Sequence, residues 1–200
     1  MGCSENSQEA AELVSNLDDK KKSMRFEEIV ENLSNRVLTG LQVYVRDVNL
    51  PEEIAGKYEE GMILRSPSCI YASSHNGGMV TSHRFTILSN HMADISAING
   101  KENPGGIAAA ECDAYFQVLK IYKSISGETM ILLLHLPDDG SWQAFMDANL
   151  PPFDNMIDDC IDRFANELIE PPVKELTTAE WFECCAVPIG INENCSFVEL

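Results

Sequence analysis

Strand-like segments separated by short glycine-containing turns fill the middle of the chain, and this pattern constrains the fold more than any other feature. Glycine tolerates the positive φ of a tight turn, so Asn76-Gly77 or Gly77-Gly78 is suited to join the first two segments, and Ser126-Gly127 the last two. Consecutive segments are therefore expected to pair as antiparallel hairpins. The segments are 62–73, 79–89, 113–125 and 129–136.

Helical patterns flank these strands. Apolar residues recur at three- and four-residue spacing over 10–38 and again over 157–168, with a shorter helix near 142–146. Thr177 and Glu180 have the spacing of a capping box, and a final strand is expected at 195–198. Because helices and strands do not alternate, we predict an α+β fold. It has a mainly antiparallel sheet of about five or six strands with helices packed on one face, a helical N-terminus and a helical C-terminal third.

The length favours one domain. Domains commonly contain about 100–200 residues, and this chain has 200. We predict a single globular domain over 1–200, in which 1–8 are frayed and 99–106 form an internal loop rich in Asn, Gly and Pro.

The chain is strongly acidic, with a formal net charge of −18. That charge repels nucleic-acid phosphates and anionic membranes, so neither is expected as a partner. It suits a basic protein partner, and a small-molecule ligand is the other candidate. A third hypothesis is a component of a larger assembly that uses the helices of 10–38 as its interface, although packing of these helices on the chain's own sheet is favoured. A homo-oligomer is a further candidate.

The cysteines suggest a reducing compartment. They number seven, an odd count, and the polar N-terminus lacks the apolar segment of a signal peptide. We therefore expect reduced thiols and a cytoplasmic location. The adjacent Cys184 and Cys185 match no standard zinc spacing, and a redox or metal role for this pair is left open.

Three of the four histidines fall in one stretch: His75, His83 and His91. Eight residues of extended strand between His83 and His91 span about 26 Å, too far for both to bind one metal, so no metal site is predicted. His135 lies in an apolar segment and is expected to be a hydrogen-bonded core or edge residue. The candidate ligand-binding residues are His75, His83, Arg84, Asn90 and His91.

No complete motif for nucleotide, dinucleotide or α/β-hydrolase chemistry occurs in the sequence, so no cofactor is assigned. The leading hypothesis is a non-enzymatic small-molecule-binding, regulatory or protein-interaction module. The alternative is a hydrolase or transferase with a histidine-containing pocket at 75–91.

Overall fold

The computed structural model describes residues 37–100, 102–137, 154–192 and 196–197. Within these residues, no helix is long and apolar enough to cross a membrane. The strands are β1 Gln42–Val48, β2 Ile63–Ser66, β3 Ile70–Ser73, β4 His83–Ser89, β5 Ala93–Asp94, β6 Ile107–Ala110, β7 Ala114–Lys123 and β8 Thr129–Leu136. The helices are α1 Glu52–Ala55, α2 Ile95–Asn99, α3 Asp154–Glu167 and α4 Ala179–Cys184, with a 3₁₀ helix at Lys174–Thr177.

All eight strands of the described residues form one mixed sheet in the order β2-β7-β8-β4-β1-β3-β6-β5. The central pair β4 and β8 is parallel, with Leu88 opposite Leu134. The predicted fold class, helices packed on one face of a mainly antiparallel sheet, is therefore wrong. The fold is mostly sheet with few helices. Strands that are distant in sequence pair at the centre of this sheet.

Both faces of the central strands are buried, which explains the continuous apolar segment of β8. Ile131 and Leu133 belong to one core, which includes Trp181. Leu132 and Leu134 belong to the opposite core, which includes Phe164 of α3. Alternate side chains of a strand point to opposite faces, so a strand covered on both sides needs apolar residues at every position.

The predicted hairpin at 126–127 is confirmed, whereas the one at 76–78 is wrong. β7 and β8 pair antiparallel, and Gly127 has φ +102° in their turn. β3 and β4 instead lie on opposite sides of β1. Gly77 and Gly78 allow close approach of another segment, since a Cβ on them would lie 2.8 and 2.5 Å from the carbonyl oxygens of Pro171 and Glu170 respectively.

Pro67 separates two strands that the sequence pattern had joined. β2 lies at one edge of the sheet, next to β7, whereas β3 lies between β1 and β6. The predicted helix at 157–168 is confirmed as α3. The cap of α4 is Thr178, one residue later than predicted, and its side chain accepts a hydrogen bond from Trp181 N.

Several predictions lie wholly or partly outside the described residues. These are the frayed segment 1–8, most of the helices over 10–38, the helix near 142–146, and Cys195 and Val198 of the last strand. Of that strand, the described part includes a single bridge between Ile191 and Phe197.

A disulfide joins Cys69 to Cys112, so the expectation that all thiols are reduced is wrong for this pair. It links the residue before β3 to the turn after β6, next to the ladder in which Ile70 lies opposite Ala110. The cytoplasmic location rested on reduced thiols, and it stays a prediction with that support removed.

Candidate active site

A cavity of about 410 Å³ lies beside the ends of β4 and β8. Small side chains contribute to its volume, since β6 presents Ala109 and Ala110 there. Polar groups enter from His91, just after β4, from His135 on β8, and from Glu111, just after β6. Apolar walls with a few convergent polar groups are typical of ligand sites. The lining residues are Cys69, Tyr71, His91, Ala93, Ile95, Ala109, Ala110, Glu111 and His135.

His135 is held from three sides. Its ring stacks on Phe116 at a centroid distance of 4.7 Å and on His91 at 3.9 Å. Its Nδ1 lies 2.9 Å from Ser89 Oγ. That oxygen already accepts hydrogen bonds from the backbone N–H groups of His91 and Met92, each at 3.2 Å. The Ser89 hydroxyl proton is therefore assigned to the bond with Nδ1, which places the ring proton of neutral His135 on Nε2.

Burial, with a smaller effect of the nearby His91, lowers the pKa of His135 to about 3. The imidazole is therefore neutral near pH 7. A neutral ring with its proton on Nε2 is a hydrogen-bond donor at that atom, and it is a poor proton acceptor there. No hydrogen bond to His135 Nε2 is found among the described residues, so the group can serve a ligand in the cavity.

His91 has the opposite tautomer. Asn90 Nδ2 donates to the carbonyl oxygen of Thr39 at 3.0 Å, which fixes the amide so that Oδ1 faces His91. His91 Nδ1 lies 2.8 Å from that Oδ1 and must donate its proton to it. In the neutral ring, Nε2 of His91 is therefore the proton acceptor.

The two stacked histidines thus bring complementary chemistry to one cavity. His91 supplies a ring nitrogen that can take a proton, and His135 supplies a ring N–H that can donate a hydrogen bond. Glu111 is a third polar residue on the wall. A base beside a fixed N–H donor is the pattern used to activate a nucleophile and to stabilise negative charge that develops in the reaction.

Of the predicted site residues, His91 lines this cavity and Asn90 orients it. His75 lies instead beside Gly106, where a Cβ would come within 2.8 Å of its ring. His83 Nδ1 bonds Ser82 Oγ at 2.8 Å, and burial, with a smaller effect of Lys123, lowers its pKa. Neither ring lines the cavity. Among the described residues, no group of three potential ligands is arranged to hold a metal ion.

Arg84 is buried in an ion pair with Asp47. Its Nε and Nη2 donate to the two carboxylate oxygens at 2.6 and 2.8 Å, and Nη1 donates to the Gly77 carbonyl at 2.8 Å. The guanidinium is thereby engaged in holding the 77–78 segment, and it does not line the cavity. The sequence prediction that Arg84 binds a ligand gains no support from this geometry.

His135 and Glu111 were missed as site residues. His135 was expected to be a hydrogen-bonded core or edge residue, and it is buried with a hydrogen bond to Ser89. Its place on a cavity wall depends on the parallel register between β4 and β8. A histidine inside an otherwise apolar strand was the available signal, but its partner lies 46 residues away.

A second cavity of about 370 Å³ adjoins the first and shares Tyr71 and Ile95 with it. Cys184 is exposed on its wall. Its neighbour Cys185 is buried, and burial raises the pKa of that thiol to about 12 against the opposing effect of Arg46, so Cys185 stays protonated near neutral pH. The lining residues are Tyr71, Ile95, Glu102, Asn103, Pro104, Gly105, Ile107, Glu175, Glu180, Trp181 and Cys184.

No protein-family profile and no curated protein matches this chain. Solved structures that resemble it include the type III effector XopAI of Xanthomonas axonopodis pv. citri, at 16% identity over 48% of this chain and 42% of that one, with a TM-score of 0.40. The ADP-ribosyltransferase HopU1 of Pseudomonas syringae pv. Tomato DC3000 gives 12% identity over 48% and 45%, with a TM-score of 0.42. C3stau2 of S. aureus, solved with NAD, gives 12% identity over 60% and 73%, with a TM-score of 0.40.

The matched part spans less than half of XopAI and of HopU1. The leading hypothesis of a non-enzymatic binding module is contradicted by these comparisons, in which ADP-ribosyltransferases recur. At TM-scores below 0.5 the likeness assigns no activity to this chain.

Proposed function

We propose that this chain is a group-transfer enzyme whose active site is the cavity between His91 and His135. The observation that carries the proposal is the pair of opposite tautomers, fixed by Asn90 on one ring and by Ser89 on the other. A binding site alone has no need for a proton acceptor stacked at 3.9 Å on a ring that donates a hydrogen bond.

In the proposed reaction, His91 Nε2 removes the proton from an attacking hydroxyl or amine, whose oxygen or nitrogen forms a bond to the transferred group. The bond between that group and its leaving group breaks, the leaving group departs with the electron pair, and the imidazolium of His91 returns the proton to it. His135 Nε2–H donates to the oxygen on which negative charge develops. Because His135 is neutral, it acts by hydrogen bonding and keeps its proton. Positioned general bases contribute about 10²- to 10⁴-fold to a rate.

The second candidate is hydrolysis, in which water replaces the acceptor. The same two ring nitrogens support it, and the cavity of about 410 Å³ has room for water beside a bound donor. The two reactions differ in product: transfer gives a modified acceptor, whereas hydrolysis gives only the cleaved donor. A basic protein partner and a homo-oligomer stay predictions from the sequence.

The test is turnover of a donor followed by mass spectrometry, with amines, guanidines and alcohols offered as acceptors. Acyl and phosphoryl donors are offered first, because negative charge develops on an oxygen when they react. Glycosyl donors follow, among them NAD⁺, which is included because C3stau2 was solved with NAD. We expect His91→Asn to lower the rate by about 10²-fold or more, since Asn keeps a donor to Asn90 Oδ1 but removes the basic nitrogen.

The matched control is His83→Asn, which removes a histidine outside the cavity and should leave the rate within about twofold of the wild type. A wild-type rate no higher than that of His91→Asn, over the whole donor panel, contradicts the proposal. If His83→Asn loses the activity and His91→Asn keeps it, the active site is not the cavity at His91, and the proposal is wrong.

A further inference from the structure

Hydrogen bonds within the fold fix the walls of the second cavity. One wall is the segment Glu102–Ile107, and the opposite wall runs from Glu175 to Cys184. Asn103 fixes the first wall: its Nδ2 donates to Asp94 Oδ1 at 2.9 Å and to the Ile107 carbonyl at 2.8 Å, while its Oδ1 accepts from Ile107 N at 2.8 Å. The Thr178 cap fixes the start of α4, which carries Trp181.

The interior of this cavity is apolar and aromatic. Ile95, Ile107 and Pro104 contribute aliphatic surface. Trp181 and Tyr71 contribute aromatic rings, the first buried and the second 39% exposed. Such walls favour a ligand with a hydrocarbon or aromatic body, and aromatic faces also attract cations.

The rim of the cavity is acidic. Glu102, Glu175 and Glu180 are exposed, and no lysine or arginine is among the described lining residues. The chain as a whole has a net charge of −18, so the surrounding field has the same sign. The three carboxylates are not arranged to hold a metal ion. An organic cation suits this rim, and an anion would be repelled.

We propose that the second cavity binds an amphipathic organic cation, with its apolar body between Trp181 and Tyr71 and its positive group among the carboxylates of Glu102, Glu175 and Glu180. This binding does not depend on whether the first cavity is catalytic. Since the two cavities share Tyr71 and Ile95, a molecule bound here lies next to the proposed active site.

The experiment compares three probes with the same phenyl body: 2-phenylethylammonium, neutral 2-phenylethanol and anionic 3-phenylpropanoate. Binding is followed in ¹H–¹⁵N spectra of the full chain by the indole cross-peak of Trp181, which Trp142→Phe distinguishes from the only other tryptophan. We expect the cation to bind about tenfold more tightly than the alcohol at low salt and to lose most of that advantage in 0.5 M salt, where the Debye length falls to about 4 Å.

The double variant Glu175→Gln/Glu180→Gln should remove the preference for the cation and leave the affinity for the alcohol unchanged. Its control is Glu52→Gln/Glu53→Gln, which removes the same charge from α1, outside both cavities, and should keep the preference. The proposal is overturned if the three probes bind alike, if none shifts the Trp181 cross-peak, if the anion binds best, or if both double variants behave alike.

Discussion

Strand β4 has a buried polar cluster at each end, and the two clusters differ in how their hydrogen bonds are completed. At the first end, Arg84 donates to both oxygens of Asp47 and to the Gly77 carbonyl. At the other end, Ser89 Oγ forms a hydrogen bond with Nδ1 of His135. Nε2 of the same ring has no partner among the described residues, and the ring borders a cavity. The first cluster is closed, and the second opens to a ligand.

The difference separates a structural role from a chemical one. A buried ion pair gains little net stability, but its geometry determines which segment can pack against it, here the turn at Gly77. A buried histidine with one ring nitrogen facing a cavity is oriented by its other ring nitrogen. The nitrogen at the cavity can then form a hydrogen bond with a ligand.

Removing the charge of Asp47 should have the largest effect on stability. Asp47→Asn leaves the Arg84 guanidinium, 3% exposed, without a counter-charge. We expect the free energy of unfolding to fall by about 3–5 kcal/mol, because an unpaired buried charge is strongly unfavourable. Urea denaturation at pH 7 measures the change.

The control for that variant is Asp113→Asn, which removes the exposed partner of Arg65. Exposed pairs contribute about 0–1 kcal/mol, so this change should be small. Equal losses in the two variants would show that the cluster at Arg84 is not a closed buried pair.

Loss of the disulfide should cause the second-largest decrease in the free energy of unfolding. Its effect should be concentrated in the strands beside the first cavity. Cys69→Ser/Cys112→Ser releases a bond that spans 43 residues, and we expect a loss of about 2–4 kcal/mol. Cys69 lines the first cavity and Glu111 precedes Cys112, so amide exchange should accelerate in β3 and β6 more than around Arg84.

Cys184→Ser controls for the loss of a thiol, since Cys184 is free and exposed. It should leave both stability and exchange unchanged. A double variant as stable as the wild type, or intact protein whose mass corresponds to two free thiols at 69 and 112, contradicts the assignment of the bond.

The next prediction concerns pH. The pKa of His135 is about 3 in the folded protein and about 6.5 in an unfolded chain, so the unfolded state takes up the proton first as the pH falls. The free energy of unfolding should therefore decrease from about pH 6.5 towards pH 3, by up to about 1.4 kcal/mol per pH unit from this group. Above about pH 6.5, His135 adds no slope.

Unfolding curves at pH 7, 6, 5 and 4 for the wild type and His135→Asn measure this contribution. Asn keeps an acceptor for the Ser89 hydroxyl but does not titrate. The free energy of unfolding of His135→Asn should therefore depend less on pH than that of the wild type. His83→Asn should flatten the curve less, since His83 is only half-buried. Parallel curves for wild type and His135→Asn would remove the basis for a neutral His135.

The same contrast explains which parts of the molecule the sequence predicted. The turn at Gly127 was predictable because the β7–β8 hairpin is local. His91 was named as a candidate, and it borders the cavity. His135 was not named as a site residue, because its role depends on parallel pairing of β4 with β8, 46 residues apart at Ser89.

Gly77 and Gly78 show the opposite case, in which a local signal was misleading. Their sequence is typical of a tight hairpin turn, yet they are needed for close approach to Glu170 and Pro171. Non-local pairing also explains the wrong fold class. Strand segments were identified in the sequence, but their order in the sheet depends on contacts between distant residues.

The smallest predicted effect is that of His91→Asn on stability. The ring is exposed, and Asn keeps a donor for Asn90 Oδ1, so we expect the free energy of unfolding to change by about 0.5 kcal/mol or less. Arg84 and Ser89 are roughly 17 Å apart along the strand, so the effects of Asp47→Asn and His91→Asn should add within about 0.5 kcal/mol. Urea denaturation of the double variant measures this sum. A larger deviation from this sum would mean that the two ends of β4 form one cluster. The ion pair at Arg84 would then contribute to the position of the His91 and His135 rings at the cavity.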